Sequence, residues 1–225
     1  MDGLHDPLRA TALITSAGGT YSAAIVACLR DTEGVDVIVA GVDCQESVDA
    51  KFILDHFASL NGADASTTGR RLLSICADLS TDIIFPGSEF ECLAIGELRD
   101  EFAAAGVFVP MPDNQVMKLM ANKSSFYRLL DEHNLDSMEF VVVTGKQAVL
   151  AAIDDLGYPR RGVIVKPQAG AGSRGTFVIT DAPPIPSIRN RNRQYAMCTK
   201  DEFTVLCDEW EIQLEGQELM VMPYY

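Results

Sequence analysis

The residues best suited to chemistry lie in one stretch. From Gly162 to Gly175 the chain reads Gly-Val-Ile-Val-Lys-Pro-Gln-Ala-Gly-Ala-Gly-Ser-Arg-Gly. Its apolar run predicts a buried strand that delivers Lys166 at the end. Gly170, Gly172 and Gly175 then surround Ser173 and Arg174. Glycine lets backbone N–H groups approach a polyanion closely. Lysine adds a point charge and arginine a planar fork of donors. Phosphate is the natural guest of such a set. The order is not that of a P-loop, where Gly-Lys-Ser/Thr follows the glycines and opens a helix. Here the lysine comes first and a strand, Thr176 to Thr180, follows as its antiparallel partner. The plain alternative is a glycine-rich hairpin with ordinary surface charges.

Other candidates carry less. Ser16-Ala17-Gly18-Gly19 is a glycine turn after a first strand, a place where parallel α/β folds can meet a ligand at a helix N-terminus. Asp43 ends the next strand, where such folds sometimes hold a ribose hydroxyl; a strand-ending carboxylate of no further use fits equally. Gly87-Ser88-Glu89-Phe90-Glu91 has the same two readings, since its acids suit the start of a helix. Lys123 follows Asn122 at an expected helix start, where the dipole disfavours a cation. The histidines, His5, His56 and His133, offer no ligand spacing. Six cysteines, at 28, 44, 76, 92, 198 and 207, contain no CxxC pair and read as reduced core residues.

The elements that must position these groups alternate between strand and helix. Strands are expected at 11–18, Val35 to Val42 and Asp82 to Phe85, with helices at Tyr21 to Leu29, Ser47 to Leu60, Gly69 to Leu79 and Glu91 to Ala105. Val107-Phe108-Val109 reads as a last strand. This pace predicts a Rossmann-like parallel α/β domain over residues 1–112. Pro110-Met111-Pro112-Asp113 reads as the boundary. Beyond it, helices are expected at Gln115 to Met120, Lys123 to Glu132 and Lys146 to Leu156. Strands are expected at Phe140 to Val143, Gly162 to Lys166, Thr176 to Thr180, Phe203 to Leu206 and Glu218 to Val221. Residues 113–225 thus form a second, α+β lobe. Asp181 to Tyr195, with Arg189, Arg191 and Arg193, reads as a solvated loop.

Composition excludes several classes. Hydrophobic residues make up 48% and charged residues 22%, which is globular usage. Acidic residues number 32 against 18 basic, a net charge of −14, which argues against a duplex nucleic-acid binder. No apolar run approaches the roughly 18 residues of a membrane span. The start lacks the basic-then-apolar order of a signal peptide, so a cytoplasmic protein is expected.

Taken in order, Ile14 to Gly19, Asn122-Lys123-Ser124, Lys166 with its glycine loop, and Leu214-Glu215-Gly216-Gln217-Glu218 resemble the amino-terminal part of the ATP-grasp superfamily. Within it they are most similar to carbamoyl-phosphate-synthase-like members. The resemblance covers essentially the whole chain: a pre-ATP-grasp domain, then the first ATP-grasp lobe. It implies an ATP-dependent carboxylate ligase, in which ATP forms an acylphosphate that an amine or other nucleophile attacks. It implies ATP as ligand, held by Lys123, Lys166, the loop Gly170, Gly172, Ser173, Arg174 and Gly175 over the phosphates, Gln213 and Leu214 near adenine, and Glu218 on the ribose. Gln213 stands where the family places an apolar residue. The resemblance also implies that the lobe holding magnesium lies beyond residue 225. The expectation is therefore a nucleotide-binding portion, inactive alone, that a separate chain could complete. The alternatives are a non-catalytic nucleotide-binding protein, or an interaction protein that self-associates.

Overall fold

The computed structural model describes residues 8–61, 64, 66–135, 138–168, 175–181, 195–209 and 216–225. Two compact units divide the chain, Met1–Lys118 and Leu119–Tyr225. The first contains β1 (Leu8–Ile14), α1 (Ser22–Arg30), β2 (Val35–Asp43), a 3-10 turn (Asp49–Phe52), β3 (His56–Ser59) and α2 (Thr68–Asp78). It continues with β4 (Ile83–Phe85), α3 (Glu89–Gly96), α4 (Arg99–Ala104) and the greater part of α5 (Asn114–Ala121). Its sheet is parallel, in the order β3-β2-β1-β4, with Ala12 opposite Val39 and Leu13 opposite Ile84.

Both faces of this sheet are covered, which is why its central strands read as continuous apolar runs. Leu13, Ala40, Val42 and Ile84 pack against Leu72 and Cys76 of α2, Ile95 of α3 and Phe102 of α4. On the other face Ile14 and Val39 meet Val26 of α1. The result is the expected three-layer α/β arrangement.

Three expectations in this unit need correction. The helix expected at Ser47 to Leu60 is instead the 3-10 turn and β3. Pairing with β2 overrides the local pattern: Asp55 N–H donates to the Val39 carbonyl at 2.9 Å, and its carboxylate accepts the Val39 N–H at 2.8 Å. Leu54 then fills the space over Gly41, where a Cβ would lie 2.5 Å from its Cδ1. The single helix expected from Glu91 is two, because Leu98 leaves helical geometry (φ −114, ψ 18). The re-aimed second helix drives Phe102 to full burial. The strand expected at Val107 to Val109 amounts to one parallel bridge between Ile83 and Phe108.

The second unit holds α6 (Lys123–Glu132), β5 (Val141–Thr144), α7 (Lys146–Asp155), β6 (Gly162–Pro167), β7 (Thr176–Ile179), β8 (Tyr195–Cys198), α8 (Lys200–Glu209) and β9 (Glu218–Tyr224). Its sheet runs β5-β9-β6-β7-β8, antiparallel except for the β7–β8 pair. Helices α7 and α8 bring Val149, Ile153, Phe203 and Cys207 onto Val163, Val165, Ile179, Leu219 and Val221. The β6–β7 hairpin pairing agrees with the sequence. The strand expected at Phe203 to Leu206 does not: it is helix α8. Thr199 and Glu202 form a reciprocal capping box, Glu202 accepting the Thr199 N–H at 2.8 Å and Thr199 Oγ1 accepting the Glu202 N–H at 3.2 Å. Among the described residues no helix is long and apolar enough to cross a membrane.

The cysteines separate by burial. Cys76, Cys198 and Cys207 are core residues as expected, whereas Cys28 and Cys44 are exposed. Burial pushes the Cys76 thiol to about 11 and that of Cys198 to about 12. A thiol reagent at neutral pH is therefore expected to label Cys28 and Cys44 in the native chain, and to reach Cys76 and Cys198 only on unfolding. Mass spectrometry of a labelling time course checks this; native labelling of Cys198 at the rate of Cys28 would contradict the packing of β8 and α8.

Candidate functional site

In the second unit, α6 and β6 bring two lysines together. Asn122 caps α6, its Oδ1 accepting the Ser125 N–H at 3.0 Å, which places Lys123 at the first helical position. The Lys123 ammonium donates to the Gln168 carbonyl at 3.3 Å, as does its backbone N–H. Lys166 lies near the end of β6, a strand held on both sides by β7 and β9. Its ammonium sits 5.4 Å from the centre of the Tyr127 ring, a cation–π contact with α6. Tyr127 in turn packs against Phe140, with ring centres 5.7 Å apart.

The electrostatics of Lys166 are unusual. Burial, and then the charge of Lys123, push its ammonium below the usual lysine range. Among the described residues no carboxylate forms an ion pair with it. Chemically, a half-buried cation beside a second cation suits an anionic guest better than a neutral one.

The remaining expected site residues divide into two sets. Gly175 is described, with φ +71, in the left-handed region that favours glycine. Glu218 opens β9 with an exposed side chain, and its carbonyl accepts the Gln168 N–H at 3.1 Å. That bond ties the start of β9 to the lysine pair. Gly170, Gly172, Ser173, Arg174, Gln213 and Leu214 lie outside the described residues, as does the Arg189, Arg191 and Arg193 cluster. Gln168 and Tyr127 were not among the expected site residues, and Ser124 entered only through the Asn122-Lys123-Ser124 resemblance. Only Asn122, a good capping type ahead of Ser124 and Ser125, carried a local signal.

In the first unit the C-terminal edge of the parallel sheet is closed by a carboxylate. Glu91, 5% exposed, accepts the Thr15 hydroxyl at 2.6 Å, the Ser16 hydroxyl at 2.9 Å, the Ser88 hydroxyl at 2.8 Å and the Ser16 N–H at 3.2 Å. Ser88 caps α3 while Glu91 turns inward, so this acid does more than complement the helix dipole. Ser16 itself stands at φ 49, a strained position for a non-glycine residue, and two of the Glu91 bonds hold it there. Asp43 is equally committed. Its oxygens accept the Gly18 N–H at 2.8 Å and the Gln45 N–H at 2.9 Å, so it braces the glycine turn. A surface cleft of about 460 Å³ lies beside that turn, lined by Gly18, Gly19, Ser22, Gln45, Ser47 and Asp49 among others, none of them basic.

No family model matches the chain, and no curated protein matches it in sequence. Solved structures do match. N5-carboxyaminoimidazole synthetase from Staphylococcus aureus, complexed with ADP, aligns with a TM-score of 0.61 at 18% identity over 98% of this chain and 49% of its own. The biotin carboxylase domain of the Hydrogenobacter thermophilus 2-oxoglutarate carboxylase, with MgADP, ADP and bicarbonate, gives 0.58 at 15% identity, over 96% of this chain and 44% of its own. Biotin carboxylase from Campylobacter jejuni, as a complex with an ATP ligand, gives 0.57 at 18% identity, over 95% and 45%.

The chain shares its fold with part of each of these enzymes. The chain spans about half the length of the solved structures it matches. At these identities the likeness concerns the fold, which agrees with the expected ATP-grasp layout and does not single out a carbamoyl-phosphate-synthase-like branch. Among the described residues no group of three or more His, Cys, Asp or Glu side chains is placed to hold a metal ion.

The Glu91 cluster sets a stability prediction. Glu91→Ala leaves the buried Thr15 hydroxyl without its acceptor, at about 1–3 kcal/mol, while the part-buried Ser16 and Ser88 groups can turn in part to water. A loss of about 3 kcal/mol in urea unfolding is expected, against about 1 kcal/mol for Glu91→Gln. Equal, negligible shifts for both variants would show that the carboxylate does not hold the β1 and β4 loops together.

Proposed function

We propose that this chain is the nucleotide-binding portion of an ATP-dependent carboxylate ligase, with Lys123 and Lys166 holding the phosphates of ATP. The observation that carries this reading is the pair of cations at the end of β6, one of them half-buried and without a carboxylate partner among the described residues, in a chain of net charge −14. Holding Lys166 half-buried beside another cation costs free energy, and a triphosphate offsets it by bringing negative charge to that ammonium. The ATP-grasp fold supports the same guest, since its solved examples include complexes with ADP and with an ATP ligand.

In this reading Lys166 and Lys123 neutralise the phosphates and orient them, the Gly175 end of the loop after β6 approaches them, and Glu218 at the start of β9 lies within the nucleotide region. The reaction is formation of an acylphosphate from a carboxylate, followed by attack of an amine or another nucleophile, in the carbamoyl-phosphate-synthase-like manner. Magnesium would supply charge neutralisation on the transferring phosphate. Its ligands, and the wall that closes the site, would come from a further lobe, on this chain's own continuation or on a separate chain.

Calorimetric titration with ATP tests the binding step. Saturable binding in the millimolar range or tighter is expected, and Lys166→Ala should weaken it about 10- to 100-fold, the worth of a hydrogen bond to a charged group. Absence of binding by the wild-type chain would end the nucleotide reading.

The pH dependence has a defined sign. Phosphate binds the protonated ammonium, so affinity falls as pH rises through the Lys166 titration. Because burial and Lys123 depress that titration, the fall begins below the usual lysine range. Lys166→Arg keeps its charge in that range and should flatten the profile. Parallel profiles for the arginine variant and the wild type would remove Lys166 from the phosphate site.

A further inference from the structure

We propose that Gln168 is a positioning residue that fixes the Lys123 and Lys166 ammonium groups in one anion-binding geometry; this rests on the nucleotide reading above. Gln168 lies two residues beyond Lys166 and is 8% exposed. Its side-chain amide has one orientation only. Asn122 Oδ1 accepts the Ser125 backbone N–H and can therefore take only a donor from Gln168, so Nε2 faces it at 2.8 Å. The second Nε2 hydrogen is donated to Ser124 Oγ at 2.6 Å, and that hydroxyl donates to Asn122 Oδ1 at 3.1 Å. The main chain of the same residue completes the clamp. Its carbonyl accepts from the backbone N–H and the ammonium of Lys123, both at 3.3 Å, and its N–H donates to the Glu218 carbonyl at 3.1 Å.

One glutamine thus touches the cap and the first two residues of α6, the end of β6 and the start of β9. With α6 so docked, Lys123 cannot withdraw from Lys166 without breaking the amide contacts. The arrangement opposes stability at several points. It holds two ammonium groups close, and it keeps a lysine in the first turn of a helix, where the dipole disfavours it. It also leaves the Gln168 Oε1 buried without a hydrogen-bond partner among the described residues. Packing alone would be served better by an apolar side chain of the same length. The clamp makes sense as a device that keeps two cations in place for a polyanion.

The test uses the full chain with Gln168→Met, which keeps length and packing and removes both amide donors and the orphaned acceptor. Three quantities are measured: the Lys166 ammonium titration by lysine side-chain NMR without nucleotide, assigned with Lys166→Arg; the affinities for ATP and for inorganic tripolyphosphate; and the thermal midpoint. Lys123 on α6 is the charged group that acts on Lys166 at this contact, over the Tyr127 ring, while Glu218 on β9 is exposed. The expected result is a Lys166 titration moved up toward the usual lysine range and about tenfold weaker binding of both polyanions, with the thermal midpoint unchanged or raised. Gln168→Asn withdraws the amide from Asn122 and should behave alike, which covers a methionine variant that fails to fold. An unmoved titration with affinities within twofold of wild type overturns the proposal, as does a lowered midpoint with both other quantities unmoved. If the wild-type chain binds neither polyanion, the nucleotide reading fails, and the Lys166 titration alone then decides whether Gln168 positions the pair: a rise upholds it and no change overturns it.

Discussion

A half-buried ammonium beside a second ammonium is the interaction on which the second unit turns. Lys166 cannot relax away from Lys123, because β6 is an interior strand bonded on both sides and its residues Val163 and Val165 are sealed beneath α7 and α8. Hydrophobic burial in that core supplies the free energy that keeps the strand, and so the cation, where it is. The aromatic pair of Tyr127 and Phe140 provides a weakly attractive surface for the charge without neutralising it. The site is built by a core strong enough to tolerate an unfavourable electrostatic arrangement at its end.

The first unit resolves the same problem in the opposite way. At the ends of β1 and β4 the buried charge is a carboxylate, and Thr15, Ser16 and Ser88 satisfy it from three sides. A carboxylate so fully paired gains little from a ligand, since any guest would have to replace bonds already made. Asp43 is spent likewise on the Gly18 turn. Both acids therefore act as structural ties in the described fold, whereas Lys166 has no carboxylate paired with it among the described residues.

What could be read in the sequence follows from how local the determinants are. Helix α6 and the β6–β7 hairpin were legible because apolar periodicity and glycine punctuation lie within the segments themselves. Segment 47–60 was not, because its state is decided by β2: the Asp55 bonds to Val39 and the space over Gly41 lie outside any local window. Helix α8 is different: its Thr199 and Glu202 capping pair is a local signal, but the short apolar run after it also suits a strand. At the site, Lys123 and Lys166 could be named from type and position. Gln168 could not, because its role depends on Asn122 and Ser124, more than forty positions away in the chain.

The acidic total bears on how such a site must be built. A chain with 32 acidic and 18 basic residues presents a negative field to an approaching polyanion. At physiological salt that field is screened over about 8 Å, so it acts on approach and hardly at all on a group already in contact. Surface lysines scattered over such a protein would be screened to the same degree and would hold nothing. Cations that are partly withdrawn from water escape much of that screening, and two held close by a rigid frame act on one guest together. Local burial of a few positive charges, at a cost carried by the surrounding core, is thus one way a strongly acidic chain can make a site that suits an anion.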